Sequence, residues 1–101
     1  MAYSVVFAPE AQADLIGLYD YIAEHGSPER ALAYVERIEA MCRGLATFPE
    51  RGARRDDIRR GLRVIGLARR VAIAFHVGTG TVTIDRILYG GRDLAAALDE
   101  D

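Results

Sequence analysis

The run from Arg69 to Tyr89 reads RRVAIAFHVGTGTVTIDRILY, two apolar, β-branched stretches hinged on Gly78-Thr79-Gly80. That pattern predicts two antiparallel strands joined by a tight turn. On the first strand Val71, Ile73, Phe75 and Val77 alternate onto one face, and Ala72, Ala74 and His76 onto the other. On the second, strict alternation puts Val82, Ile84 and Leu88 on a face with Arg86, while Ile87 and Tyr89 point the other way. A lone two-stranded ribbon is marginal in water, so the remaining chain must flank it with strands and cover its apolar face.

The other segments supply both. Tyr3 to Phe7 reads as a short first strand. Pro9 and Glu10 suit the first turn of a helix running to about Glu24, with Ala11, Leu15, Leu18 and Ile22 on one stripe and Tyr19 widening it. His25-Gly26 ends it. Ser27 can cap a second helix, with Pro28 and Glu29 in its first turn. Its stripe is Ala31, Val35, Ile38, Cys42 and Leu45, flanked by Tyr34, Met41 and Phe48, and it is expected to end near Thr47, ahead of Pro49. So short a link forces the two helices into an antiparallel hairpin. Glu50 to Asp57 reads as a loop, and Arg60 to Ile65 as a strand broken by Gly66. After Gly90-Gly91 the chain reads as a short acidic tail. The order is β-α-α-β-β-β, an α+β fold in which an antiparallel sheet packs against an antiparallel helical hairpin. The sheet face carrying Ala72, Ala74, His76 and Tyr89 is expected to stay shallow and open.

At 101 residues the chain is expected to be a single domain, residues 1–101. No apolar run approaches the ~20 residues of a membrane span. No basic segment followed by a long apolar run marks a secretion signal. The lone Cys42 cannot form an internal disulfide, and a reducing cytoplasm fits it. The net charge of −2 conceals a division: residues 1–50 carry −5, residues 51–92 carry +7 and residues 93–101 carry −4. The basic stretch can therefore face an anionic or acidic partner although the total is near zero. All thirteen basic residues are arginine.

The residues exclude several chemistries. Two histidines and one cysteine stand at no metal-ligand spacing, so neither a metal nor a cofactor is expected. His76 reads as a structural or surface histidine, and Cys42 as a buried, inert thiol. No glycine-rich loop links a strand to a helix for phosphate binding. Ser4 and Ser27, the only serines, sit in a strand and at a helix cap. What remains is a cluster of arginines around Tyr89.

The chain resembles the ParE branch of the RelE/ParE toxins of bacterial toxin–antitoxin modules. The residues that carry the resemblance are Phe7-Ala8-Pro9-Glu10-Ala11, Asp14-Leu15, Tyr21-Ile22-Ala23-Glu24, Ala31, Ile38, Leu45, Phe48-Pro49, Gly52, Gly61-Leu62-Arg63, Val71 to Val77, and Ile84 through Asp93. It covers Tyr3 to Asp93. The resemblance implies a toxin neutralised by a co-expressed, ParD-like antitoxin that wraps the helical hairpin and sheet. The released toxin either inhibits DNA gyrase, as ParE-like members do, or cleaves mRNA in the ribosome, as RelE-like members do. A third reading is a non-toxic interaction module of the same fold.

Metal-free RNA cleavage needs a group to activate the 2′-hydroxyl, a proton donor and cations around the phosphorane. In the RelE-like ribonucleases resembled here, a third-strand arginine and a C-terminal Tyr or His commonly serve. This chain has Ala72 at the first position and Leu94, Leu98 and acids at the second. Gyrase inhibition without catalytic residues is therefore the expectation, with direct nucleic-acid binding not expected. The target-binding candidates are Arg63, Arg70, Arg86, Tyr89 and Arg92, with an internal pairing of Arg86 to Asp14 as the competing role. For the ribonuclease alternative the catalytic set would be Arg70, Tyr89 and Arg92. The antitoxin is expected on Leu18, Tyr19, Tyr34 and Met41, beside the helical stripes.

Overall fold

The computed structural model describes residues 2–99. In chain order the elements are β1 (Ser4–Phe7), α1 (Pro9–His25), α2 (Pro28–Gly44), β2 (Ala53–Arg54), β3 (Leu62–Leu67), β4 (Val71–Val77), β5 (Thr81–Tyr89) and α3 (Leu94–Asp99). The strands form one sheet in the order β1-β5-β4-β3-β2. β3, β4 and β5 make the expected antiparallel meander. β1 joins it parallel to β5, with Ser4 opposite Thr81 and Phe7 opposite Ile84.

The α1–α2 hairpin covers one sheet face. Both helices begin at a proline whose missing N–H costs nothing there. Ser27 caps α2 by accepting the Arg30 amide at 3.1 Å. The expected stripes are the buried ones: Ala11 and Leu18 from α1, and Ala31, Ile38 and Cys42 from α2 with Leu45 just beyond its end. They meet Val71, Ile73, Phe75, Val82, Ile84 and Ile87 of the sheet.

Two local expectations shift. Gly66 does not break β3, which runs on to Leu67. The reversal falls instead at Ala68 and Arg69, both at positive φ (54° and 63°), and Arg70 N–H donates to Leu67 O at 3.2 Å. This is the turn geometry that matches strand twist, built without its usual Asn-Gly. The loop from Glu50 to Asp57 contains the two-residue edge strand β2.

Two larger corrections concern the far sheet face. Ala74 pairs with Arg86 and Phe75 with Ile84, so Asp85 is an extra residue on β5. This bulge inverts the alternation. Val82 and Ile84 share the hairpin face with Ile87 and Tyr89, and Arg86, opposite Ala74, no longer lies with Val82 and Ile84. Within the segment expected as an acidic tail, Leu94–Asp99 form α3. Asp93 caps it, its Oδ1 accepting the Ala95 and Ala96 amides at 3.0 and 3.3 Å. Leu94 and Leu98 pack onto Ile58, Leu62, Val64 and Ala74, so that face is covered there.

Cys42 lies fully within the core. Burial pushes its thiol up to about 12, with Glu39 adding to the rise and Arg43 opposing it. A thiol in the unfolded chain ionises near 8.5. Below about that pH both states hold the proton and stability is undiminished; above it the unfolded chain ionises first, and stability falls as pH rises toward the folded value. Urea unfolding at pH 9 to 11 should show a smaller alkaline loss for Cys42→Ala than for wild type; identical losses would remove the thiol from this account.

Candidate functional site: a cleft of arginine and tyrosine beside β5

β1 pairs only with the first half of β5, Thr81 to Ile84. Past Phe7 the chain leaves the sheet to begin α1, so the second half of β5 has a helix beside it instead of a strand. The exposed ladder edge needs a hydrogen-bond partner. Asp14 on α1 supplies one, its Oδ2 accepting the Ile87 N–H at 2.9 Å. The same carboxylate takes a two-pronged bond from Arg86, Nε to Oδ2 at 2.9 Å and Nη2 to Oδ1 at 3.0 Å. Arg86 Nη1 donates in addition to Ala97 O of α3 at 2.7 Å. Only 7 % of the Arg86 side chain and 10 % of the Asp14 side chain is exposed. A buried fork of this kind holds three elements together at one point.

Directly above this fork lies a cleft of about 710 Å³. It is lined by Asp14, Gly17 and Tyr21 of α1, by Ile87 and Tyr89 of β5, and by Arg70 and Arg92. The space beside Gly17 is open, since a Cβ built there would meet nothing within 4 Å. Gly90 N–H donates to Arg70 O at 2.9 Å, which fixes the two arginine-bearing ends of β4 and β5 side by side. Among the described residues neither Arg70 nor Arg92 forms a salt bridge.

Tyrosines extend the site. Tyr89 lies 6.1 Å from Tyr21, tilted at 49°, and 6.1 Å from Tyr34, edge-on at 78°. Tyr21 stacks on His25 at 4.3 Å. Tyr34 presents a buried hydroxyl with no hydrogen-bond partner among the described residues. Burial and then the Tyr89 phenol raise the Tyr34 pKa above its ordinary value, against the pull of Arg37 and Arg70. The cleft thus offers cations and aromatic faces, while its carboxylate is taken up by Arg86 and Ile87 N–H.

Arg70, Tyr89 and Arg92, expected at the target surface, come together here. Arg86 does not. It is buried, and the internal pairing to Asp14 is the role the structure gives it. Arg63 is also absent from the cleft; it is half-buried at the far end of β3, 3.8 Å from Glu50 and 3.5 Å from Arg51 O. Of the antitoxin candidates Leu18 is a core residue at 7 % exposure that also lines the cleft. Tyr34 and Met41 are partly buried against the core. Tyr19 lines a separate apolar groove of about 470 Å³ with Phe7, Leu15, Ile16 and Val35. Sequence reasoning missed Gly17 and Tyr21. Their signal was available, for they sit at i and i+4 in the middle of a helix, one turn from Asp14.

A five-stranded sheet under a helical hairpin, with guanidinium groups and phenols gathered beside the open half of β5, defines a small α+β protein. Known proteins place it more closely. The family model described as the ParE toxin of the type II toxin–antitoxin system, parDE, matches residues 5–94. Toxin ParE3 of Caulobacter vibrioides is 31 % identical over 94 residues, covering 93 % of each chain. A chain from the chromosomal ParDE toxin–antitoxin system of P. aeruginosa superposes with a TM-score of 0.77 at 29 % identity, covering 88 % of this chain and 97 % of that one. The RelBE2 toxin–antitoxin complex of Mycobacterium tuberculosis shares the fold, with a TM-score of 0.64 at 21 % identity over 88 % of this chain and 92 % of that one. This chain belongs to the family of ParE toxins of type II toxin–antitoxin systems.

The buried Tyr34 hydroxyl is a stability cost left in place. Tyr34→Phe should raise the free energy of unfolding by about 1 kcal/mol. Urea denaturation measures it, and a loss of similar size would show that the hydroxyl is satisfied in solution.

Proposed function

We propose that this toxin acts in the cytoplasm, is neutralised there by a ParD-like antitoxin, and on release inhibits DNA gyrase by binding to it without breaking bonds. One observation carries the choice of binding over cleavage. The cleft's carboxylate, Asp14, already accepts from both prongs of Arg86 and from the Ile87 amide. The lining is left rich in donors and aromatic faces, which suit adhesion, and lacks an uncommitted carboxylate to take a proton. Membership of the ParE family, and the gyrase inhibition that the resemblance to its ParE-like members implies, point the same way.

The antitoxin has a separate seat in this reading. The groove between β1, α1 and α2 is apolar and includes Ile16, which is 65 % exposed. Apolar side chains of an amphipathic antitoxin segment would fill it. Acidic residues of the same segment would run toward the arginines of the cleft, so that neutralisation masks the target surface directly.

The ribonuclease reading keeps one observation of its own: Arg70, Tyr89 and Arg92 line one cleft. The two readings part on a supercoiling assay run beside primer extension on translated mRNA. The purified chain should block gyrase supercoiling and leave transcripts intact. Gly17→Met should fold at least as stably, since glycine in a helix interior costs about 1 kcal/mol, yet lose about tenfold or more in inhibition by filling the cleft. Unaffected supercoiling at excess toxin, with cuts in the ribosomal A site, would reverse the assignment. Full potency of Gly17→Met would move the gyrase contact out of the cleft.

A further inference from the structure

Away from the tyrosine cleft, the bulge on β5 builds a second polar site that the proposed activity does not use. Asp85, the unpaired residue of the bulge, is 8 % exposed. Its Oδ2 lies 2.8 Å from Nδ1 of His76 on the neighbouring strand. A carboxylate can only accept, so Nδ1 carries the proton and donates it, and Nε2 is left for other partners. The His76 side chain is 48 % exposed. It lines a cavity of about 310 Å³ whose other wall holds Arg59 and Arg60. Arg59 is steadied there by its bond to Leu98 O at 3.1 Å. Asp56 lies close enough to Arg60 to feel its charge, but its carboxylate is held by Gly61 N–H at 2.8 Å and by Arg54 at 3.1 Å.

Burying a carboxylate in a sheet costs free energy that a threonine, such as neighbouring Thr83, would not incur. A bulge that turns an acid under a histidine is the kind of irregularity that sheets place beside binding sites. An imidazole held by a carboxylate and two guanidinium groups lining one small cavity match an oxyanion with several acceptor oxygens. We propose that His76, oriented by Asp85, and Arg59 and Arg60 form a phosphate-binding site. Its ligand is either free phosphate or the phosphate of a nucleotide. Arg59, Arg60 and His76 are the contacting groups; Asp85 is a positioning residue.

Imidazole NMR of the 15N-labelled full chain tests this, since His25, at the end of α1, provides an internal control. At constant ionic strength, inorganic phosphate should move the His76 ring signals to saturation and leave those of His25 in place. Adenosine 5′-monophosphate is the second probe, with adenosine as its control. Tighter binding of the nucleotide than of phosphate assigns a phosphate ester; equal binding assigns the free ion. Arg60→Gln, an exposed change that spares the fold, should weaken binding by about fivefold or more. Asp85→Asn should disturb the Nδ1–H tautomer seen in the ring 15N shifts and weaken binding as well. Absence of saturable movement with either phosphate, equal affinity in Arg60→Gln, or movement of His25 in parallel with His76 would each overturn the site.

Discussion

The bond between Asp14 and Arg86 ties three elements of this molecule together at one point. β5 lies between β1 and β4, yet half of its edge toward β1 lacks a strand neighbour because β1 ends at Phe7. Asp14 closes that edge by accepting the Ile87 amide. Its negative charge, buried among apolar neighbours, is tolerable only with a cation fixed against it. Arg86 provides the cation and passes a third bond to α3 through Ala97 O. Helix α1, the open strand edge and the C-terminal helix are thereby tied at one point. α3 has six residues, too few to persist as an isolated helix. Its place depends on the apolar contact of Leu94 and Leu98 and on the guanidinium groups of Arg86 and Arg59 at its last carbonyls.

The same arrangement shapes the cleft beside β5. Because Asp14 and Arg86 neutralise each other, the cleft beside them takes its character from Arg70, Arg92, Tyr21 and Tyr89. The cations stand at the ends of β4 and β5, tied by the bond from Gly90 to Arg70. Gly17 and the absent strand leave the space between them open. An irregularity of the sheet thus becomes a site on one side, and the bulge that accompanies it creates the His76–Asp85 couple on the other.

The layered fold was legible in the sequence because it rests on local patterns. Helical stripes, a proline in each first turn, the cap at Ser27 and the turn at Gly78-Thr79-Gly80 each act over a few residues. The faces of β5 were not legible beyond Ile84. A bulge depends on the pairing between two strands, and no feature of the segment TVTIDRILY declares it. Alternation carried past Asp85 therefore placed Arg86 with Val82 and Ile84 and took the far face to be open. The C-terminal helix was hidden by the acids at its end, although Asp93 before Leu-Ala-Ala-Ala-Leu is a cap followed by strong helix formers. Within the site, the arginines and Tyr89 stood out by charge and position. Gly17 did not, because what a glycine leaves empty depends on what lies across from it.

A double-mutant cycle across Asp14 and Arg86, read by urea unfolding, measures the central claim most directly. Asp14→Leu alone should be severely destabilising, by about 3 kcal/mol or more, because it strands a buried guanidinium. Adding Arg86→Met should recover much of the loss, giving a coupling of about 2 kcal/mol. Additive losses, with coupling under about 0.5 kcal/mol, would mean that α1, β5 and α3 are held by apolar packing alone and that the fork is incidental.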